Sequence, residues 1–155
     1  MEFAGLPEVK LPVPPGWDDR SQLIIVSDSR SEVFRANIVV VSEPRGERSM
    51  EEFVDDHLGT LDQTFEGFRL YFDQPATFGA YDGYLIDYGF SVQERGYRQR
   101  QFFTIAGRTI FTFTYSDTAE GFPDSVAVLE QVVSNAKILG SGNAGYIWNG
   151  GREAG

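Results

Sequence analysis

His57 is the one histidine in the chain, and no cysteine accompanies it. Together these facts remove most side-chain chemistry at once. A cysteine nucleophile, a disulfide and a thiolate metal site are excluded. Zinc would have to rely on one imidazole and carboxylates, an unusual donor set for that metal. His57 also sits among Phe53, Val54, Leu58 and Leu61, where a histidine more often serves packing than catalysis. Asp18-Asp19 and Asp55-Asp56 are paired acids, but neighbouring residues on a helix point in different directions, so Asp55-Asp56 is no carboxylate dyad. The spacing and glycine of a calcium loop are absent. So are a phosphate loop ending in Lys-Ser/Thr and a Gly-x-Ser-x-Gly elbow. Thr104, Thr112 and Thr114 suit a half-exposed sheet without any catalytic role. The sequence reads as that of a binding protein rather than an enzyme, with no cofactor and no metal.

Gln99 and Gln101 are the polar residues left with a use. They occupy one parity of a run in which Tyr97, Gln99, Gln101, Phe103 and Ile105 alternate with Arg98, Arg100, Phe102 and Thr104. Taken alone they pass for ordinary solvent-facing strand residues. Set among apolar walls, their amides offer donors and acceptors to a hydrophobic helix that carries small polar groups. Burial of the apolar part of such a helix contributes roughly 25 cal/mol per Å².

The elements that must position these residues follow from periodicity. Pro7, Pro12, Pro14 and Pro15 make the opening an extended lead-in or edge segment. Leu23–Val26 is a short strand and Asp28–Arg35 a polar loop. Ala36–Val41 is apolar on both faces and reads as a central strand. Glu43–Arg48 turns. Ser49 with Glu52 three residues on forms a capping box. Met50, Phe53, Val54, His57, Leu58, Leu61 and Phe65 then give an amphipathic helix. Four alternating runs follow, around Phe68–Phe72, Tyr84–Val92, Tyr97–Ile105 and Phe111–Tyr115, joined at Glu94-Arg95-Gly96 and Ala106-Gly107; they describe an antiparallel meander. Phe111, Phe113 and Tyr115 are expected beside Tyr97, Gln99, Gln101 and Phe103, with the helices covering only one face of the sheet. Pro123 opens a second helix with Val126, Leu129, Val132, Val133 and Ala136 as its apolar side, and Lys137-Ile138-Leu139 closes as a short strand. The fold class is α+β: an antiparallel sheet of about six strands flanked by two main helices. Residues 1–139 form the domain and 140–155 a Gly-rich tail that holds Tyr146, Ile147 and Trp148 together.

A chain of 155 residues fits one domain. Its 13 Phe and 7 Tyr argue for a packed core, because disordered chains are poor in aromatics. The net charge of −10 disfavours nucleic acid and anionic membranes as partners and keeps an apolar groove soluble. There is no basic-then-apolar leader and no lipid-anchor cysteine, so a cytoplasmic location is expected. No apolar stretch approaches the roughly 20 residues that insert stably in a bilayer.

Several segments, in order, resemble one family. Leu11-Pro12 through Pro15-Gly16-Trp17-Asp18-Asp19-Arg20-Ser21 resembles the "LP-x-GW-x-DRS" opening of the DcrB-like proteins. Asn37-Ile38-Val39-Val40 resembles their "N-L-V-x-S-R" strand, and Phe65–Leu70 the segment after their first helix. Arg98-Gln99-Arg100-Gln101 with Thr112-Phe113-Thr114 resembles their "Q-x-Q … T-x-T" hairpin. The likeness runs from about Leu11 to Leu139. It implies a PsbP-like fold. It also implies either an exported lipoprotein or a cytoplasmic Eag-type chaperone of type VI secretion. The latter shields the N-terminal transmembrane helices of an effector, often as a homodimer, and delivers them to the spike protein. The missing leader, acidic surface and paired glutamines favour the second branch. The partner groove expected on that reading uses Leu23, Ile25, Ile38, Val40, Gln99 and Gln101, with His57 or Leu61 at its helical rim. Strand parity is left open, since a one-residue slip reverses a face. The alternatives are an adaptor for a folded soluble protein and a small enzyme or ligand-binding domain.

Overall fold

A computed structural model describes residues 11–28 and 34–138. The tail with Tyr146, Ile147 and Trp148, the middle of the 28–35 loop and Pro7 lie outside the described residues.

Element order is β1 (Leu23–Val26), β2 (Asn37–Pro44), α1 (Met50–Thr64), β3 (Glu66–Phe78), β4 (Tyr81–Val92), β5 (Arg95–Ala106), β6 (Thr109–Thr118), α2 (Phe122–Ser125) and α3 (Ala127–Ser134). The strands form one six-stranded sheet in the order β1-β2-β6-β5-β4-β3, and every neighbouring pair is antiparallel. The expected α+β class and the meander from β3 to β6 hold. β2 is flanked on both sides, as expected, but only Ile38 in it is buried.

α1 begins where the capping box places it. The Glu52 amide donates to Ser49 Oγ at 3.1 Å, and the Ser49 amide donates to Glu52 Oε1 at 2.9 Å. These two bonds satisfy amides that the first turn otherwise leaves without partners. Ser49→Ala is expected to cost about 1 kcal/mol, read as a drop in thermal midpoint of about 2–4 °C.

Turn chemistry differs from expectation at one hairpin. Gln93 and Glu94, both at positive φ, make the two-residue turn between β4 and β5. Arg95 and Gly96 already belong to β5, paired with Val92 and Ser91. Two consecutive left-handed residues match the strand twist, so the chain accepts non-glycine residues there. The second expected helix is present as α2 and α3, separated by Val126. Ile138 has no strand partner; its amide donates to the Tyr81 hydroxyl at 3.2 Å.

Helices cover both faces of the sheet, which corrects the expectation of one covered face. Phe53, Val54 and Leu61 of α1 pack on Ile86, Tyr88, Phe103 and Ile110. On the other face Phe122, Leu129 and Val133 pack on Ile38, Leu85, Phe102, Phe113 and Tyr115. β4 to β6 carry large apolar residues at both parities, and each parity needs its own cover.

Candidate partner-binding face

The β5–β6 hairpin has a two-residue turn, with Ala106 paired to Thr109. An odd residue of β5 therefore faces an even residue of β6. Gln101 stands opposite Thr114, Gln99 opposite Ser116 and Phe103 opposite Thr112. Phe111, Phe113 and Tyr115 point to the other face, which overturns their expected place beside the glutamines. On the α1 face the result is a polar ladder. His57 Nε2 is 2.8 Å from Gln101 Oε1, and Gln101 Nε2 donates to Thr114 Oγ1 at 2.9 Å. The Tyr88 hydroxyl donates to Gln99 Oε1, and Gln99 Nε2 donates to Ser116 Oγ at 2.8 Å. Each amide thus has one bond at each end. A glutamine amide offers two donors and two acceptor sites. One N–H and one lone pair on each have no partner among the described residues; those of the half-buried Gln99 can meet a partner, while Gln101 is buried at 6% exposure and holds the ladder together.

His57 borders this ladder from the helix side. Its ring stacks on Phe53 at 5.8 Å and meets Phe103 edge-on at 5.3 Å. Burial pushes its pKa down, partly offset by the Gln101 hydrogen bond and by Glu43. A depressed histidine pKa means that the folded state favours the neutral ring. Stability is complete above the unfolded value of about 6.5 and is lost as pH falls through the lower folded value. His57→Gln, which keeps an amide to meet Gln101, is expected to flatten the fall in thermal midpoint between about pH 7 and pH 5. Thermal melts of both proteins across that range check it.

The floor of the face continues onto β2 and β1. Register places Val39 beside Thr114 and Val41 beside Thr112, then Ile24 beside Val39 and Val26 beside Asn37. None of these joins the cluster beneath α1. Ile24 is 55% exposed and Val26 50% exposed. The α1 face therefore divides into a part closed by α1 and an open part, where an apolar floor of Ile24, Val26, Val39 and Val41 flanks the glutamine ladder.

The sequence-expected groove does not stay together. Gln99, Gln101 and His57 lie on the α1 face, as does Leu61, but Leu61 is buried core beneath the helix rather than rim. Leu23, Ile25, Ile38 and Val40 lie on the opposite, α2/α3 face. There Ile38 is core, Val40 packs against it, and Leu23 and Ile25 are exposed. The residues that belong with the glutamines are Ile24, Val26, Val39 and Val41, one position away in each strand.

The α2/α3 face also carries a cluster that sequence reasoning missed. Asp87 is fully buried. Its Oδ1 accepts from Arg98 Nε at 2.8 Å and its Oδ2 from Arg100 Nε at 2.7 Å. The Arg98 guanidinium lies 4.6 Å from the Phe122 ring centre and 4.3 Å from that of Tyr71. Arg100 lies 5.5 Å from Phe122 and 5.1 Å from Phe72. α2 is thus fastened to the sheet by a ring held between two cations. The signal in the sequence was an acid on one strand facing an Arg-x-Arg pair on the next.

Among the described residues there is no group of three or more acids and histidines placed to hold a metal ion, and no helix long and apolar enough to cross a membrane. No curated protein matches the sequence. Among solved structures, a crystal structure of PA94 from Pseudomonas aeruginosa, a protein of unknown function, aligns with TM-score 0.72 and 20% identity over 87% of this chain and 94% of that one. The crystal structure of LpqN, involved in cell envelope biogenesis of Mycobacterium tuberculosis, aligns with TM-score 0.58 and 15% identity over 79% and 80%. The solution structure of the cyanobacterial PsbP, CyanoP, from Synechocystis sp. PCC 6803 gives TM-score 0.48 and 12% identity over 73% and 79%. At these identities the first two speak for a shared fold. The sequence itself carries the family: the DcrB model matches residues 8–135, a span that takes in every strand and helix described above, and the chain belongs to the DcrB family.

Proposed function

We propose that this chain is a chaperone of type VI secretion that binds and shields the N-terminal transmembrane helices of an effector and hands them to the spike protein. The observation that carries this reading is the open part of the α1 face. An apolar helix needs a dry floor, which Ile24, Val26, Val39 and Val41 supply. A transmembrane helix with small polar residues also needs partners for them, since an unpaired polar group removed from water costs free energy. The unused donor and acceptor of the half-buried Gln99 meet that need without reorganisation. The charge of −10 supports the same reading, since it keeps a protein with an exposed apolar floor soluble and away from anionic lipid. The chaperone works by binding alone, in the cytoplasm where effectors are made. The outer edge of β1, which pairs with no other described strand, is the surface through which a homodimer would form.

The test is a pull-down of the tagged protein from its native cell, read by mass spectrometry. A prominent partner with N-terminal apolar helices is the expected result. A folded soluble partner without such helices would replace this reading with that of a general adaptor.

A further inference from the structure

A second apolar depression lies at the Ser27 end of the sheet, chiefly on the α2/α3 side, with Val26, Asn37 and Thr118 of the other parity at its margin. It occupies about 650 Å³ between the exposed end of β1–β2 and the start of α2 and α3. Ile25, Ala36, Ile38, Tyr115 and Val128 line it, with Glu120 at its rim. The polar groups at its base are already used. The Tyr115 hydroxyl donates to Ser125 Oγ, and Ser125 Oγ donates to Asp117 Oδ2 at 2.8 Å. One group is not used: Ser27 Oγ, which lines the same depression, is buried and has no hydrogen-bond partner among the described residues. The site therefore asks for apolar bulk together with one hydrogen-bonding group.

The chain itself contains such a segment. Tyr146-Ile147-Trp148 is the apolar island in the Gly-rich stretch after Ile138. A buried tryptophan needs an acceptor for its indole N–H, and Ser27 Oγ is one. Arg152, four positions beyond Trp148, suits the acidic rim at Glu120. Reach permits the contact. Ile138 is fixed at the start of β4 by Tyr81. From there the depression lies three strand spacings across the sheet and about six residues along it, which at roughly 4.8 Å and 3.3 Å each comes to about 25 Å. The ten residues from Ile138 to Trp148 span up to about 33–36 Å.

We propose that Tyr146-Ile147-Trp148 docks in this depression of its own domain, with the Trp148 indole donating to Ser27 Oγ. Docking covers the apolar β1–β2 end, chiefly on the α2/α3 face, and leaves Ile24, Val39 and Val41 of the α1 face free.

The chain has two tryptophans, and Trp17 is exposed, so Trp17→Phe leaves Trp148 as sole reporter in the full-length protein. Its emission is expected to lie to the blue of a free tryptophan amide, to be quenched several-fold less by acrylamide, and to be unchanged on dilution. Adding Ile25→Asp or Val128→Asp should return emission and quenching to the free values while circular dichroism stays unchanged. As a check that needs no core variant, deleting 140–155 should raise binding of an apolar dye several-fold. Solvent-like emission in the parent overturns the proposal, as does a blue shift that survives both groove variants. A blue shift lost on dilution overturns it too, by assigning the occupant to a second copy.

Discussion

Replacing Asp87 by alanine is expected to cost about 3 kcal/mol, the lower end of what removal of one partner from a buried ion pair costs. In a domain of this size that lowers the thermal midpoint by about 6–12 °C. The reason is the asymmetry of the cluster. Among the described residues Asp87 is the only carboxylate bound to Arg98 and Arg100, and it has no exposed surface. Without it, two guanidiniums face each other across Phe122 with no counter-charge between them. The cost stays at the lower end because the arginine side chains keep 26% and 23% of their surface and regain water in part.

The companion variants separate charge from packing. Asp87→Asn keeps an acceptor for one arginine and should lose less. The triple replacement Asp87→Leu, Arg98→Met, Arg100→Met removes the charges together and keeps apolar volume against Phe122, where a thioether packs well on an aromatic ring. It is expected to recover most of the loss, as buried charge clusters replaced whole by apolar residues often do. Thermal unfolding followed in the far and near ultraviolet reads all three. A midpoint for Asp87→Ala within about 2 °C of the parent would show that α2 is held by apolar contact alone.

How much of this was legible in the sequence depends on how each strand is patterned. α1 was legible down to its first hydrogen bonds, because Ser49 and Glu52 carry their roles in their chemistry. The alternation of β5 was legible because Tyr97, Gln99 and Gln101 contrast with Arg98 and Arg100, although which parity faces a partner was left open. β1 and β2 offer no such contrast. Leu-Ile-Ile-Val and Ile-Val-Val-Val are apolar at every position, so nothing local says which residues join the glutamines. That information sits elsewhere, in the length of the hairpin turn at Gly107-Arg108 and in the pairing it passes from β6 to β2 to β1. A two-residue turn pairs odd with even, which sets Thr114 against Gln101, then Val39 against Thr114, then Ile24 against Val39. The buried Asp87 was hidden for a related reason. An acid alternating with Leu85 and Gly89 looks like a solvated face until a second helical layer is known to cover it.

The same parity makes the sharpest functional test. Ile24 and Ile25 are neighbours on one exposed edge strand, yet they face opposite sides of the sheet. On the proposed chaperone reading, Ile24→Asp is expected to weaken effector capture by about a hundredfold or more. It removes an apolar side chain whose burial contributes roughly 1.5–3 kcal/mol and places a carboxylate where a dry helix must lie, and each 1.4 kcal/mol is tenfold in affinity. Val26→Asp should act alike. Ile25→Asp, on the α2/α3 face, should leave capture within about threefold, the range of surface changes away from a contact. The three positions are 55%, 50% and 38% exposed, so the folded state tolerates an acid at each, and unchanged melting curves confirm it. Co-purification of the effector with each variant, followed by titration of a peptide carrying its first apolar helix, reads the effect. Loss of capture with Ile25→Asp but not with Ile24→Asp would move the partner to the α2/α3 face. Equal capture by all three would remove β1 from the interface and, with it, the open α1 face as the seat of binding.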